Sequence, residues 1–129
     1  MKIINTKFHG VLDYLTGILL IAAPWIFNFA DGTAAQTVPV VLGITTLIMA
    51  LLTDYELGLI RKIPMSVHLT IDFLMGVFLA ASPWLLDFSE RVYLPHLIVG
   101  IFAVCVSLVT ERVPYHLRRP GMGSRTHAH

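Results

Sequence analysis

The chain has 129 residues, of which 56% are apolar and only 13% charged, with a formal net charge of +1. A soluble domain carries roughly 25% charged residues, and one this short has too little interior to hide so much apolar surface. Together with a mean hydropathy of +0.75, this argues against an ordinary soluble globule, and the near-zero charge argues against a nucleic-acid partner. The lipid bilayer is the expected solvent.

Residues 1–7 are short and polar and lack the layout of a removable signal peptide. The apolar run 8–29 that follows contains Asp13 and is too long for a signal core, so it reads as a retained span. At 1.5 Å per residue it crosses the ~30 Å hydrocarbon layer as a helix. A second run, 34–53, carries no formal charge, and the Asp31-Gly32 turn between the two makes a helical hairpin. Residues 54–63 form a polar link, and Pro64 then precedes a third run, 66–88. After the link 89–91 comes a fourth, 92–110. The expected architecture is an all-α membrane protein of four transmembrane helices, near residues 8–29, 34–54, 64–87 and 92–111.

The chain repeats itself. HGVLDYLTGILLIAAPWIFNF at 9–29 returns as HLTIDFLMGVFLAASPWLLDF at 68–88, so His9/His68, Asp13/Asp72, Gly17/Gly76, Pro24/Pro83 and Trp25/Trp84 coincide at an offset of 59. Thr53-Asp54 and Gly43 recur as Thr110-Glu111 and Gly100 at an offset of 57. A period holding polar and backbone-special residues in register marks duplication of the whole hairpin. Repeat one covers 7–54 and repeat two 66–111, within a membrane domain at 1–112. Each repeat has two spans, so the repeats are parallel, related by a pseudo-two-fold axis along the membrane normal.

With four spans, both termini and the 54–65 link share one side. That side holds Lys2, Lys7, Arg61, Lys62, Arg112, Arg118, Arg119 and Arg125, against Arg91 alone on the other. The positive-inside rule then places both termini in the cytoplasm and the protein in the inner or plasma membrane. Residues 113–129 read as a flexible basic cytoplasmic tail. Its His127-Ala128-His129 end is a poor metal site, two imidazoles on a mobile segment. Cys105, the only cysteine, excludes an intramolecular disulfide and reads as a small apolar helix residue.

Positions four apart share a helix face, so His9 lies over Asp13 and His68 over Asp72, with Gly17, and then Gly76 and Ala80, continuing the stripe. Small residues let another helix approach closely, so the stripe faces protein. One reading makes it structural, each Asp bonding the histidine one turn below or a polar group from helix two or four. The other gathers His9, Asp13, His68 and Asp72, with Asp54 and Glu111 as secondary members, into a metal- or proton-handling cluster near the cytoplasmic side. The spacing leaves both open and names no cofactor. The sequence contains no phosphate loop, nucleophile elbow or thiol motif, and an enzyme is the less favoured expectation.

Pro24 and Pro83 each remove a backbone donor and are expected to kink or restart their helices, with Ser82 able to bond a freed backbone group. Trp25 and Trp84, roughly 24 Å from the histidines along the helix, suit the opposite interface as anchors; the alternative is a ligand stacked on the two indoles. Ser82-Pro83-Trp84, its near copy Ala23-Pro24-Trp25, and the H-x-x-x-D ahead of each resemble the SPW-repeat family of small prokaryotic integral membrane proteins, over residues 7–112. Ala23 departs from the triplet, so no role that needs a hydroxyl applies to both repeats. The resemblance implies a membrane protein and no mechanism. Two functions follow as expectations: a non-enzymatic membrane module that self-associates or joins a larger membrane partner, or a metal- or proton-handling protein built on the His/Asp stripe.

Overall fold

A computed structural model of the chain describes residues 3–113. The expected tail, including its terminal histidines, lies outside the described residues apart from Val113, the residue at which it was expected to begin. Four α-helices follow in order, α1 (Thr6–Ile26), α2 (Ala34–Leu52), α3 (Met65–Leu85) and α4 (Leu94–Val109), with no strands among the described residues. Helices α1, α2 and α3 are long and apolar enough to cross a membrane. Helix α4, at 16 residues, is a shorter apolar helix.

The distribution of polarity is inverted relative to a soluble fold. Leu15, Ile18, Ile48, Leu74, Ile98 and Ile101 are exposed, whereas His9, Asp13, Thr46, His68, Asp72 and Ser107 are buried. Only a hydrocarbon solvent makes that arrangement favourable, because apolar side chains outside lose nothing there and polar groups inside can pair with one another.

Each hairpin is a close pair of helices. Helix α1 packs mainly on α2 and α3 mainly on α4, while α1 and α4 scarcely touch. The crossings are set by glycine: a Cβ at Gly43 would lie 2.7 Å from the Gly17 carbonyl oxygen, and one at Gly100 would lie 2.7 Å from that of Gly76. No side chain fits between these backbones. Gly17, Gly76 and Ala80 thus face protein, as the stripe requires, and the neighbour they face is the second helix of their own hairpin.

Helix ends depart from the expected bounds for identifiable reasons. The Asn5 side chain accepts from Phe8 N at 2.7 Å, an N-cap that starts α1 at Thr6, ahead of the apolar run that begins at Phe8. Helix α1 stops at Ile26 because Asn28 takes a left-handed conformation (φ 60°) and Phe29 N donates back to Pro24 O at 2.7 Å. Helix α3 ends the same way, through Asp87 (φ 60°) and Phe88 N to Pro83 O at 2.8 Å. This is a Schellman closure using the two non-glycine residue types that best tolerate it. Pro24 and Pro83 therefore sit in the last turn. In place of the expected kink or restart, each helix ends two residues after its proline.

At the other end of the bundle, Thr53 and Thr110 leave their helices into extended backbone, ψ 142° and 140°. Thr53 pairs in parallel with Ile63, and Thr110 with Ile4. Asp54 N donates to Ile63 O at 2.7 Å and Glu111 N to Ile4 O at 2.8 Å. The tail of α2 is thereby tied to the lead-in of α3, and the tail of α4 to the lead-in of α1. The duplication closes into a cyclic, pseudo-two-fold arrangement. At the turn end the hairpins are joined once more, where Arg91 bonds Asp31 and reaches Thr33 Oγ1 at 3.1 Å.

Candidate functional site

The H-x-x-x-D motif places His9 and Asp13 one turn apart on α1, and His68 and Asp72 one turn apart on α3. All four are buried, at 1% exposure for His9, 0% for His68, 8% for Asp13 and 6% for Asp72. The two stripes face each other across the pseudo-axis, with the imidazole centroids 5.4 Å apart and edge-on.

The shortest bonds run between repeats. His9 Nε2 lies 2.8 Å from Asp72 Oδ2, and His68 Nε2 lies 2.6 Å from Asp13 Oδ2. Within a helix the same atoms are 3.1 Å apart for His9–Asp13 and 3.0 Å for His68–Asp72. Each carboxylate oxygen thus sits between two Nε2 atoms, and four atoms from two helices form one closed ring. The structural reading expected each Asp to pair on its own helix or with helices two and four; the nearer partner is the histidine of the other repeat.

The second nitrogens complete the arrangement. His68 Nδ1 is 2.6 Å from Thr53 Oγ1, and His9 Nδ1 is 2.9 Å from Thr110 Oγ1. Each hydroxyl donates to the carbonyl four residues back, Thr53 to Met49 O at 2.6 Å and Thr110 to Val106 O at 2.5 Å. With its proton so committed, each threonine accepts, and Nδ1 of each histidine carries the hydrogen it receives. Nε2 is then the nitrogen that faces the carboxylates, either as an N–H donor or as a lone pair.

This geometry supports two chemistries. Two imidazoliums against two carboxylates sum to zero charge, as do two neutral imidazoles, two carboxylates and one divalent ion, and neutrality is what the bilayer interior demands. The ligand-capable atoms of the four residues lie within 4.8 Å of one another. Four ligands held tetrahedrally at ~2.0–2.1 Å from a metal would stand about 3.3 Å apart. The observed edges of 2.6–3.1 Å are hydrogen-bond spacings. A cavity of about 40 Å³ adjoins the ring, lined there by Asp13, Asp72, Thr16 and Thr46, room enough for a water molecule. Beyond it, the apolar cluster of Leu20, Val38 and Leu79 closes the interior toward the turn end.

Of the residues singled out from sequence, Asp54 and Glu111 stand outside the ring. Their backbone N–H groups make the parallel bridges, and the threonines just before them enter the site. The recurring Thr-Asp and Thr-Glu pairs carried that signal, on the residue adjacent to the one selected. Pro83 removes the donor for Leu79 O, and Ser82 Oγ donates to that carbonyl at 2.7 Å. Ala23 has no hydroxyl to do the same for Leu20. Trp25 and Trp84 are more than half exposed on the outer surface, and Trp84 packs against Tyr93 at 5.7 Å.

His96 was not singled out, since it has no copy in repeat one, where Pro39 holds the matching position. Pro39 lacks the N–H that would bond Ala35 O, and His96 Nε2 donates to that carbonyl at 2.8 Å from α4. The ring is flanked by Phe88 at 4.9 Å and Phe29 at 5.1 Å between centroids.

Compared with known proteins, the chain matches the family model described as the SPW repeat domain over residues 7–110. No curated protein and no solved structure matches it.

Proposed function

The chain belongs to the SPW repeat family, and from that premise we propose that it works as a non-enzymatic membrane module, two hairpins locked to each other that offer an outer surface to a second copy or a larger membrane protein. The observation that carries this reading is the His/Asp ring at hydrogen-bond spacing. Its atoms are already paired with one another and with Thr53 and Thr110, as a lock between repeats requires and a substrate site does not. The module sits in the inner or plasma membrane with both termini cytoplasmic. Supporting this, Lys7, Arg61, Lys62 and Arg112 gather at the end of the bundle opposite Arg91.

A second reading makes His9, Asp13, His68 and Asp72 the ligands of one divalent transition-metal ion. It is favoured by the threonine bonds, which turn both Nε2 atoms inward and fix the tautomer as outer-sphere partners of metal-bound histidines do. Widening the edges by about 0.2 to 0.7 Å brings the ring to metal-ligand spacing.

One experiment separates the two readings. Protein purified without metal-affinity chromatography is analysed for bound metal by mass spectrometry, and its unfolding is followed with and without a chelator. The lock reading expects no stoichiometric metal and a melting curve indifferent to chelator. One ion per chain, lost in Asp13→Asn, would transfer the site to the second reading. Orientation is tested separately, by labelling a cysteine placed at Gly32 from outside intact cells.

A further inference from the structure

The ring uses one oxygen of each carboxylate. Oδ2 of Asp13 and of Asp72 meets the imidazoles, while Oδ1 of each has no hydrogen-bond partner among the described residues. Both side chains line the cavity of about 40 Å³ beside the ring and keep 11% and 7% of their surface accessible. Two hydroxyls line it as well, Thr16 from α1 and the buried Thr46 from α2, and neither makes a hydrogen bond among the described residues. Thr45, next in the chain, spends its own hydrogen on Val41 O at 2.8 Å. The only unpartnered side-chain atoms closed to a water-sized sphere among the described residues are Tyr55 Oη and His96 Nδ1, so the four oxygens at this cavity are open to one. A carboxylate oxygen left without a donor inside the bilayer is costly.

We propose that this cavity is a built binding site for internal water, which donates to Asp13 Oδ1 and Asp72 Oδ1 and accepts from the hydroxyls of Thr16 and Thr46. The inference rests on the lock reading, which leaves Oδ1 of each aspartate outside the ring. Donors and acceptors match: two carboxylate oxygens accept, two hydroxyls have hydrogens to give, and water offers two hydrogens and two lone pairs. The cavity has the room, at ~10–15 Å³ for each water, and the polar partners that a buried water needs. A small hard cation also takes oxygen ligands, but it requires both hydroxyl hydrogens turned away, as Thr45 turns its own, and Thr16 and Thr46 make no such bond. Water also leaves the charge of the ring unchanged. The site belongs to repeat one, because the copied positions of Thr16 and Thr46 hold Met75 and Ala103. Water there ties the ring to α2 and sets the two halves of the lock apart.

The test uses the full chain in lipid nanodiscs and solid-state NMR that transfers magnetisation from water hydrogens to the protein. In the wild type, transfer is expected to reach the carboxyl carbons of Asp13 and Asp72 and the methyl group of Thr46, and to miss the outward-facing Leu15 and Leu74. Ala103→Leu, which fills the cavity from α4, should remove that transfer, and Thr45→Val should leave it unchanged. Thr16→Val and Thr46→Val keep shape and lose a donor, and each should lower the folded-to-unfolded ratio roughly two- to tenfold, the worth of one hydrogen bond. A wild-type chain with no transfer to Asp13 and Asp72 would overturn the proposal whether or not any variant folds, and so would transfer that Ala103→Leu leaves intact. The nitrogen spectrum of the same sample, which shows whether His9 and His68 carry hydrogen on Nδ1, tells that failure from a failure of the lock. A melting temperature raised by sodium chloride over choline chloride in the wild type, and not in Thr46→Val, would give the cavity to a cation and also overturn the proposal.

Discussion

His9 bonds Asp72 more closely than it bonds Asp13, 2.8 Å across the repeats against 3.1 Å within its own helix. Its copy does likewise, His68 lying 2.6 Å from Asp13 and 3.0 Å from Asp72. The motif written along one helix is completed by the other, so the nearer partner of each buried carboxylate lies in the opposite repeat. Asp13→Ala and Asp72→Ala should each destabilise the fold by about 3–5 kcal/mol, the cost of breaking a buried charged pair from one side. The Asn variants, which keep an acceptor, should lose less. Chemical denaturation in detergent checks both, and the pseudo-symmetry requires the two positions to behave alike.

The threonines make a separate prediction. Thr53→Val and Thr110→Val remove the acceptor of a buried Nδ1–H while keeping shape, and should cost about 1–3 kcal/mol each, while the Ser variants keep most of the stability. Nitrogen NMR of labelled histidines reads the tautomer directly. In the wild type both His9 and His68 carry hydrogen on Nδ1, and Thr53→Val should disturb His68 before His9.

Much of this was legible in the sequence and some of it could not be. Four apolar runs and the copied H-x-x-x-D gave the helices, the duplication and the stripe, because each is a local pattern. Which aspartate meets which histidine depends on the pseudo-axis that turns the polar side chains of α1 and α3 toward each other, and a single helix carries no record of that. Thr53 and Thr110 were visible only as echoes beside more conspicuous carboxylates. His96 was invisible to any search for repetition, since its partner is a carbonyl freed by Pro39 on another helix. The early stops at Ile26 and Leu85 hinge on left-handed Asn28 and Asp87, which hydropathy treats as ordinary loop residues.

The glycine crossings set a steric limit. Gly43→Ala and Gly100→Ala drive a methyl group to 2.7 Å from a facing carbonyl oxygen, and in each case the obstacle is backbone. Each should cost about 1–3 kcal/mol through forced separation of the hairpin helices. The same denaturation assay tests this, and Gly32→Ala, with nothing near its Cβ position but a positive φ of 77°, should cost about 1 kcal/mol.

The Ser82 bond predicts an asymmetry between repeats. Ser82→Ala uncovers Leu79 O in a buried site and should lower stability by about 1–2 kcal/mol. Ala23→Ser gives repeat one the missing hydroxyl for Leu20 O and should raise stability by about 0.5–1 kcal/mol. A destabilised Ala23→Ser protein would show that Leu20 O already has an adequate partner.

At the turn end, the hydroxyl and backbone N–H of Thr33, aided by Arg91, hold the exposed Asp31 carboxyl below its ordinary value. A lowered value stabilises the fold above the ordinary carboxylate range, and the contribution is lost as pH falls through the lowered value. The melting difference between wild type and Asp31→Asn should therefore be present at neutral pH, small because the site is exposed, and gone in acid. A difference that grows in acid would contradict the assignment.

The central claim is that the two repeats are locked in trans, and a pair of double-mutant cycles in unfolding free energy tests it most directly. One cycle combines His9→Gln with Asp72→Asn, and the other combines His9→Gln with Asp13→Asn. The lock predicts a coupling of about 1.5–3 kcal/mol across the repeats, larger than the coupling within α1. Coupling confined to His9 and Asp13, with none between His9 and Asp72, would contradict it.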